Sequence, residues 1–196
     1  MKREKDAFAC YLKAWHLAPY DGDLTNRLLN VGPRGPQGAT LGLNGFAWKL
    51  ATRADKYRNP RKALEYAEEV VKADPKQGDF QTTLGVARYR TGDWAGAVSA
   101  LQEALRCFEG EKDFQPGVGR SLFFLSMAQQ KAGHGPEARQ TYERALAWVK
   151  ANRQVLEKTA WGGGREVPRV LTAWAGDEMR RFQTEAEEVL GEKEKK

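Results

Sequence analysis

The chain has 196 residues and a formal net charge of +6 at pH 7; 41% of its residues are hydrophobic and 30% are charged. This composition excludes a disordered tail, and the absence of any run of about 18 apolar residues excludes a transmembrane helix. The charged N-terminus is not followed by the apolar stretch of a signal peptide, and two cysteines are too few for a disulfide framework. We therefore expect a cytoplasmic protein that forms one domain or one short array.

The positive charge lies in the first third of the chain. Residues 1–62 contain 12 Lys and Arg against 5 Asp and Glu, whereas residues 63–196 contain 20 against 21. A basic segment on a neutral body can attract an anionic partner such as nucleic acid. It can equally serve solubility alone, so both interpretations stay open at this point.

The first predicted element is a helix within residues 1–19. Most of its apolar residues recur at spacings of three and four, as they do on one face of a helix. They are Phe8, Tyr11, Leu12, Trp15 and Leu17. Residues 20–39 contain several Gly and Pro residues and predict a linker or a short helix. Because no earlier helix covers the apolar face, we expect a cover from residues 20–39, a once-longer chain, or self-association through this helix.

Residues 40–151 contain three copies of a helical-hairpin pattern, at about 40–75, 78–109 and 119–151. The second and third copies are related by a constant offset of 41 residues. Leu84, Gly92, Ala97 and Ala104 recur as Leu125, Gly133, Ala138 and Ala145. Such a repeat predicts stacked pairs of helices rather than one globular core.

The later copies also contain the local signals of a helical hairpin. Gly92 can adopt the left-handed conformation that ends a first helix, and Asp93 can cap the second helix. Pro136 lies near the first turn of its helix, where the missing N–H does no harm. Small residues at Gly85 and Ala97 allow the paired helices to approach closely.

The last part of the chain predicts a loop and a final helix. Residues 152–176 include three consecutive glycines and predict a loop. Asp177 can cap a helix that spans residues 177–191 and ends at Gly191. One apolar stripe runs along this helix, formed by Met179, Phe182, Ala186, Val189 and Leu190. We expect the helix to cap the array and residues 192–196 to be frayed.

The repeated pattern resembles the tetratricopeptide repeat, a helix–turn–helix unit of about 34 residues. The matching positions are Leu84-Gly85, Gly92-Asp93-Trp94, Ala97, Leu101 and Ala104, and most of them recur 41 residues later. The resemblance implies an all-α solenoid of antiparallel helix pairs with a C-terminal capping helix, in which residues 1–19 are the second helix of a partial repeat. A narrower similarity, carried by residues 43–48 and 180–191, is to tetratricopeptide regions of planctomycete-type bacterial multidomain proteins.

Family position also implies the residues of a binding groove. In stacked hairpins the first helices line the concave face, and side chains there that the hairpins do not need are candidate contacts. They are Asn44, Trp48 and Thr52 in the first repeat, Asp79, Thr82, Val86, Tyr89 and Arg90 in the second, and Arg120, Phe123, Met127, Gln130 and Lys131 in the third. The set combines aromatic side chains with Arg and Lys, as binding hot spots do. Trp48 or Phe123 could equally belong to the core between repeats.

The sequence carries no recognisable catalytic or metal-binding motif. His16 and His134 are the only histidines, and no pattern of cysteines or carboxylates accompanies His134 in its turn between helices. Gly162-Gly163-Gly164 lacks the Lys-Ser/Thr pair of a phosphate-binding loop. We therefore predict a non-enzymatic protein- or peptide-binding scaffold with no cofactor, no metal and no membrane contact. The alternative is binding of nucleic acid or another anionic partner through residues 1–62.

Overall fold

The computed structural model describes residues 36–53, 58–110, 115–160 and 175–191, which form eight α-helices and no strand. In chain order the helices are α1 (Pro36–Thr52), α2 (Pro60–Ala73), α3 (Gly78–Thr91), α4 (Trp94–Cys107), α5 (Pro116–Lys131), α6 (Gly135–Ala151), α7 (Arg153–Ala160) and α8 (Ala175–Leu190). Four predicted segments lie wholly or largely outside the described residues: the helix within residues 1–19, most of the linker at 20–39, residues 161–174 of the predicted loop, and the tail at 192–196.

The helices pair in chain order. Helix α1 packs on α2, α3 on α4, and α5 on α6, and each pair packs on the next through the α2–α3 and α4–α5 contacts. The first helices α1, α3 and α5 also contact one another in that order. The predicted all-α solenoid of stacked helix pairs is thereby confirmed for the part of the chain that the structure describes.

Two of the turns between paired helices follow the predicted chemistry. Gly92 ends α3 with a φ of +88°, a left-handed conformation that glycine adopts at little cost. The next residue, Asp93, accepts a hydrogen bond from the Gly96 N–H at 2.9 Å and so caps α4. The turn between α5 and α6 has Gly133 at the same φ of +88° and Pro136 in the first turn of α6. The chain therefore reverses direction where the repeat pattern indicated.

The paired helices meet at a seam of small residues. Ala97 and Ala104 of α4 are fully buried. A Cβ built on Gly85 of α3 would lie 2.8 Å from Leu101 Cδ2 of α4, which is closer than two such carbon atoms pack. The approach of α3 to α4 therefore depends on glycine at this position.

The segments around the repeats differ from the predicted boundaries. The sequence predicts a loop at residues 152–176, whereas Arg153–Ala160 form α7. This helix begins where the Asn152 carbonyl accepts hydrogen bonds from the backbone of Val155 and Leu156, and Leu156 is buried in the core. Helix α7 also packs on α8. The glycine-rich sequence of the predicted loop gives no indication of this tertiary contact. Helix α1 begins at Pro36, so the first repeat includes the end of the predicted linker.

Candidate protein-binding groove

The side of α1, α3 and α5 whose side chains contact α8 is called the inner face below. Helix α8 lies mainly on α5 and α7 and makes a smaller contact with α6. Every residue of α5 from Ser121 to Gln129 is buried, because α3, α4 and α6 surround part of the helix and α8 covers the rest. The inner face of the third repeat is thus occupied by the chain's own C-terminal helix.

Glu178 of α8 joins the first and third repeats. Its Oε1 accepts a hydrogen bond from the Trp48 indole N–H at 2.9 Å, while its Oε2 accepts from Arg120 Nε at 3.0 Å and lies 2.7 Å from Arg120 Nη2. The Arg120 guanidinium also lies over the Trp48 ring, 4.8 Å from the ring centroid. Trp48, Arg120 and Glu178 therefore form one cluster, the Glu178 cluster, that connects α1, α5 and α8.

A second ion pair lies nearer the C-terminal end of α8. Arg90 of α3 donates to both carboxylate oxygens of Glu185, with Nη2 2.7 Å from Oε2. Two-point pairs of a guanidinium with a carboxylate are strong and directional. Arg90 Nε also donates to the Ala51 carbonyl at 3.2 Å, so the end of α1 meets the same guanidinium. Each of the three first helices thus supplies at least one side chain that binds α8.

An apolar stripe lies on the same side of α8 as the two glutamates. Phe182 is 2% exposed and makes edge contacts with the rings of Trp48 and Phe124, at centroid distances of 5.9 Å and 4.8 Å. The predicted stripe is confirmed, because Met179, Phe182, Ala186 and Leu190 are buried and Val189 is partly buried. The helix is therefore held by apolar burial between two charged contacts.

The predicted groove residues fall into three groups. Trp48, Arg90 and Arg120 contact α8 directly, as described above. A second group is buried within the array and consists of Thr52, Thr82, Val86, Tyr89, Phe123 and Met127. The third group is partly or fully exposed and consists of Asn44, Asp79, Gln130 and Lys131.

The polar members of the buried group form hydrogen bonds inside the fold. The hydroxyls of Thr82 and Ser121 lie 2.9 Å apart and join α3 to α5. The Thr52 hydroxyl donates to the Trp48 carbonyl at 2.8 Å. Phe123 packs with Tyr142 of α6 at a centroid distance of 6.1 Å. These contacts lie inside the array and hold in place the helices that form the inner face.

Two polar groups of the third set stand out by their environment. The Asn44 Oδ1 is buried and has no hydrogen-bond partner among the described residues. Asn44 lies one turn before Trp48 and therefore shares its side of α1. Burial raises the pKa of Asp79 above the ordinary aspartate value, and the nearby Arg120 charge opposes that rise.

Lys49 of α1 lies beside the Glu178 cluster in an unfavourable electrostatic environment. Burial is the largest cause that lowers its pKa to about 7, and the Arg53 charge lowers it further. The Glu178 carboxylate acts in the opposite direction and raises the pKa of Lys49. Glu178 therefore interacts with Trp48 and Lys49 of α1 and with Arg120 of α5.

The acidic residues of α8 are absent from the contacts predicted from the sequence. Glu178, Phe182 and Glu185 are separated by four and three positions, so one helix face presents all three. That spacing indicates a helix with one face that is both acidic and apolar. Their partners Arg120 and Arg90 lie 58 and 95 residues away in the chain, a relationship that local patterns do not contain.

A comparison with protein families assigns the central part of the chain. Residues 49–112 match the family model described as Tetratricopeptide repeat. Residues 49–112 therefore carry tetratricopeptide repeats. The matched span contains α2, α3 and α4, and repeats of this family indicate a protein-interaction scaffold. No curated protein matches the chain in a sequence comparison.

Within the described ranges, no group of three or more His, Cys, Asp or Glu residues is placed to hold a metal ion. None of the eight helices is both long enough and apolar enough to span a bilayer. The polar groups that the inner face presents are guanidinium, indole, amide and carboxylate groups, which can pair with charged groups of a ligand.

Proposed function

We propose that the chain is a non-enzymatic, cytoplasmic scaffold that binds a helical segment of a partner protein on its inner face. The observation that carries the proposal is that this face already holds a helix through side chains from each of three repeats. A surface that positions Trp48, Arg90 and Arg120 around one helix is suited to hold another of similar chemistry.

The chemistry of the inner face further supports a protein ligand. Trp and Arg are the residue types most enriched where binding energy is concentrated in protein interfaces. The Asn44 Oδ1 has no hydrogen-bond partner among the described residues, and beside Trp48 it supplies an acceptor that a donor on the ligand can satisfy.

The thirteen predicted groove residues have three different roles in this proposal. Trp48, Arg90 and Arg120 are the main contacts, since they already bind a helix. Asn44, Asp79, Gln130 and Lys131 are peripheral contacts. The buried Thr52, Thr82, Val86, Tyr89, Phe123 and Met127 determine the shape of the surface from within. The alternative of nucleic-acid binding rests on the charge of residues 1–62, most of which lie outside the described residues.

A selection of helical peptides from a display library on the immobilised chain tests the proposal. The selected peptides should lose about tenfold or more in affinity for a Trp48→Ala, Arg120→Ala variant, because interface truncations of these residue types have large effects. The matched control changes two exposed cations of α6, Arg139→Ala and Lys150→Ala, and should leave the affinity unchanged. Circular dichroism confirms that each variant is folded. Peptides that bind the first variant as tightly as the wild type would overturn the proposal.

A further inference from the structure

Helix α8 is not placed as the first helix of a fourth repeat. Within the array each new first helix packs more extensively on the second helix of the preceding pair than on its first helix, as α5 does on α4 and α3. Helix α8 has the opposite preference, since it packs on α5 more than on α6. Its side chains also reach Trp48 of α1 and Arg90 of α3. It therefore lies along the inner face, where a ligand of the array would lie.

The charges on the inner face define what can occupy it. The Arg90 side chain is 9% exposed and the Arg120 side chain is 21% exposed, and each is neutralised by a glutamate of α8. A buried guanidinium that loses its carboxylate keeps the cost of leaving water without the compensating attraction. Any helix that replaces α8 must therefore bring two acidic groups to these positions. The space between them is filled by the Phe182 ring, so the replacement must also bring an apolar side chain there.

We propose that α8 is an internal ligand of the array, and that the external partner is an acidic amphipathic helix that displaces it. That helix presents a carboxylate, an aromatic ring and a second carboxylate at positions i, i+4 and i+7, as Glu178, Phe182 and Glu185 do. Because α8 is part of the same chain, it competes at a high effective concentration, and partner binding is weak until α8 is displaced. This inference rests on the proposed function and adds to it the class of partner and its regulation.

The test uses a fluorescein-labelled peptide of residues 175–191 and the full chain. A Glu178→Gln, Glu185→Gln chain should release α8, and the labelled wild-type peptide should bind this chain about tenfold or more tightly than it binds the wild-type chain. Hydrogen exchange should rise in residues 175–191 of the released chain, and it should rise less in α2 and α4, which do not pack on α8. A chain with the same charge change on exposed α6 residues, Glu137→Gln and Glu143→Gln, should behave as the wild type does.

The peptide itself supplies the second arm of the test. A peptide with Gln at both acidic positions should bind the released chain about tenfold more weakly than the wild-type peptide, since its contacts with Arg90 and Arg120 become neutral. Equal affinity of the two peptides, no binding of the wild-type peptide, or unchanged exchange of α8 in the released chain would each overturn the inference.

Two further outcomes separate this inference from other interpretations. In the first outcome, the library peptides bind and require Trp48 and Arg120, but the α8 peptide does not bind. This result would contradict the inference about α8 and would leave the proposed function intact. Light scattering of the wild-type chain should report a monomer. A dimer that disappears in the Glu178→Gln, Glu185→Gln chain would assign the inner face to a second copy of the chain and overturn the proposal of an external partner.

Discussion

Arg120 of α5 and Glu178 of α8 are 58 residues apart in the chain, and Arg120 Nη2 lies 2.7 Å from Glu178 Oε2. Only 8% of the glutamate side chain is exposed. A pair this buried contributes to stability only while both partners are present, because each charge alone retains its desolvation cost. The pair also holds the C-terminal helix against the third repeat.

A double-mutant cycle should detect the coupling between these two residues. Arg120→Met alone should lower the free energy of unfolding by about 3 kcal/mol, since Glu178 then stays buried without its cation. Adding Glu178→Gln should restore about 1–2 kcal/mol relative to the sum of the single changes. Urea denaturation measures each value. Asp177→Asn on the same helix, in an exposed pair with Arg180, should change stability by about 0.5 kcal/mol or less. Strictly additive effects of the first two changes would contradict the coupling.

Two glycines provide a matched test of the helix seam. Gly85→Ala should lower the free energy of unfolding by about 1–3 kcal/mol, because the added Cβ overlaps Leu101. Gly45→Ala in α1 should instead raise it by about 0.5–1 kcal/mol, because its Cβ meets no atom within 4 Å and alanine favours a helix. Thermal and urea unfolding give both values. A Gly85→Ala chain as stable as the Gly45→Ala chain would show that α3 and α4 do not meet as described.

Asp79 should make the chain less stable as the pH rises above the ordinary aspartate pKa of about 3.9. Its pKa is raised by burial, so between the ordinary and the raised values the folded chain binds a proton that the unfolded chain has lost. Stability therefore falls as the pH rises through this window, and the cost is fully present above it. Asp79→Asn should remove that fall, so its advantage over the wild type grows from pH 4 upward in urea titrations. An advantage that does not change with pH would contradict the raised pKa.

Lys49 should titrate near neutral pH. With a pKa of about 7 in the folded chain and 10.5 as the ordinary value, the unfolded chain binds the extra proton between these values. The contribution of Lys49 to stability therefore rises with pH across this window. Nuclear magnetic resonance of ¹³C-methylated lysines should show one midpoint near 7. Glu178→Gln should lower that midpoint, because the Glu178 carboxylate raises the pKa, whereas Asp177→Asn should not move it.

The repeats could be predicted from the sequence because their determinants are local. Gly92 and Asp93 end one helix and begin the next by their own backbone and side-chain chemistry, and the 41-residue offset marks the same turn at Gly133. The apolar stripe of α8 likewise predicted a helix. Its position did not follow, because a stripe can pack on any apolar surface and the pairing of Glu185 with Arg90 joins residues 95 positions apart. Helix α7 was missed for a related reason, since the buried Leu156 depends on tertiary contacts.

The Glu178 cluster changes the mechanics of the array. In an open stack each unit contacts only its neighbours, so the stack can bend and can melt from an end one unit at a time. Glu178 instead connects Trp48 of the first unit to Arg120 of the third and passes over the second, as a chord spans an arc. This contact between non-neighbouring units should restrain the bending of the array and couple the unfolding of its three units. Without it, each unit should again depend only on its neighbours, so that bending and melting become local.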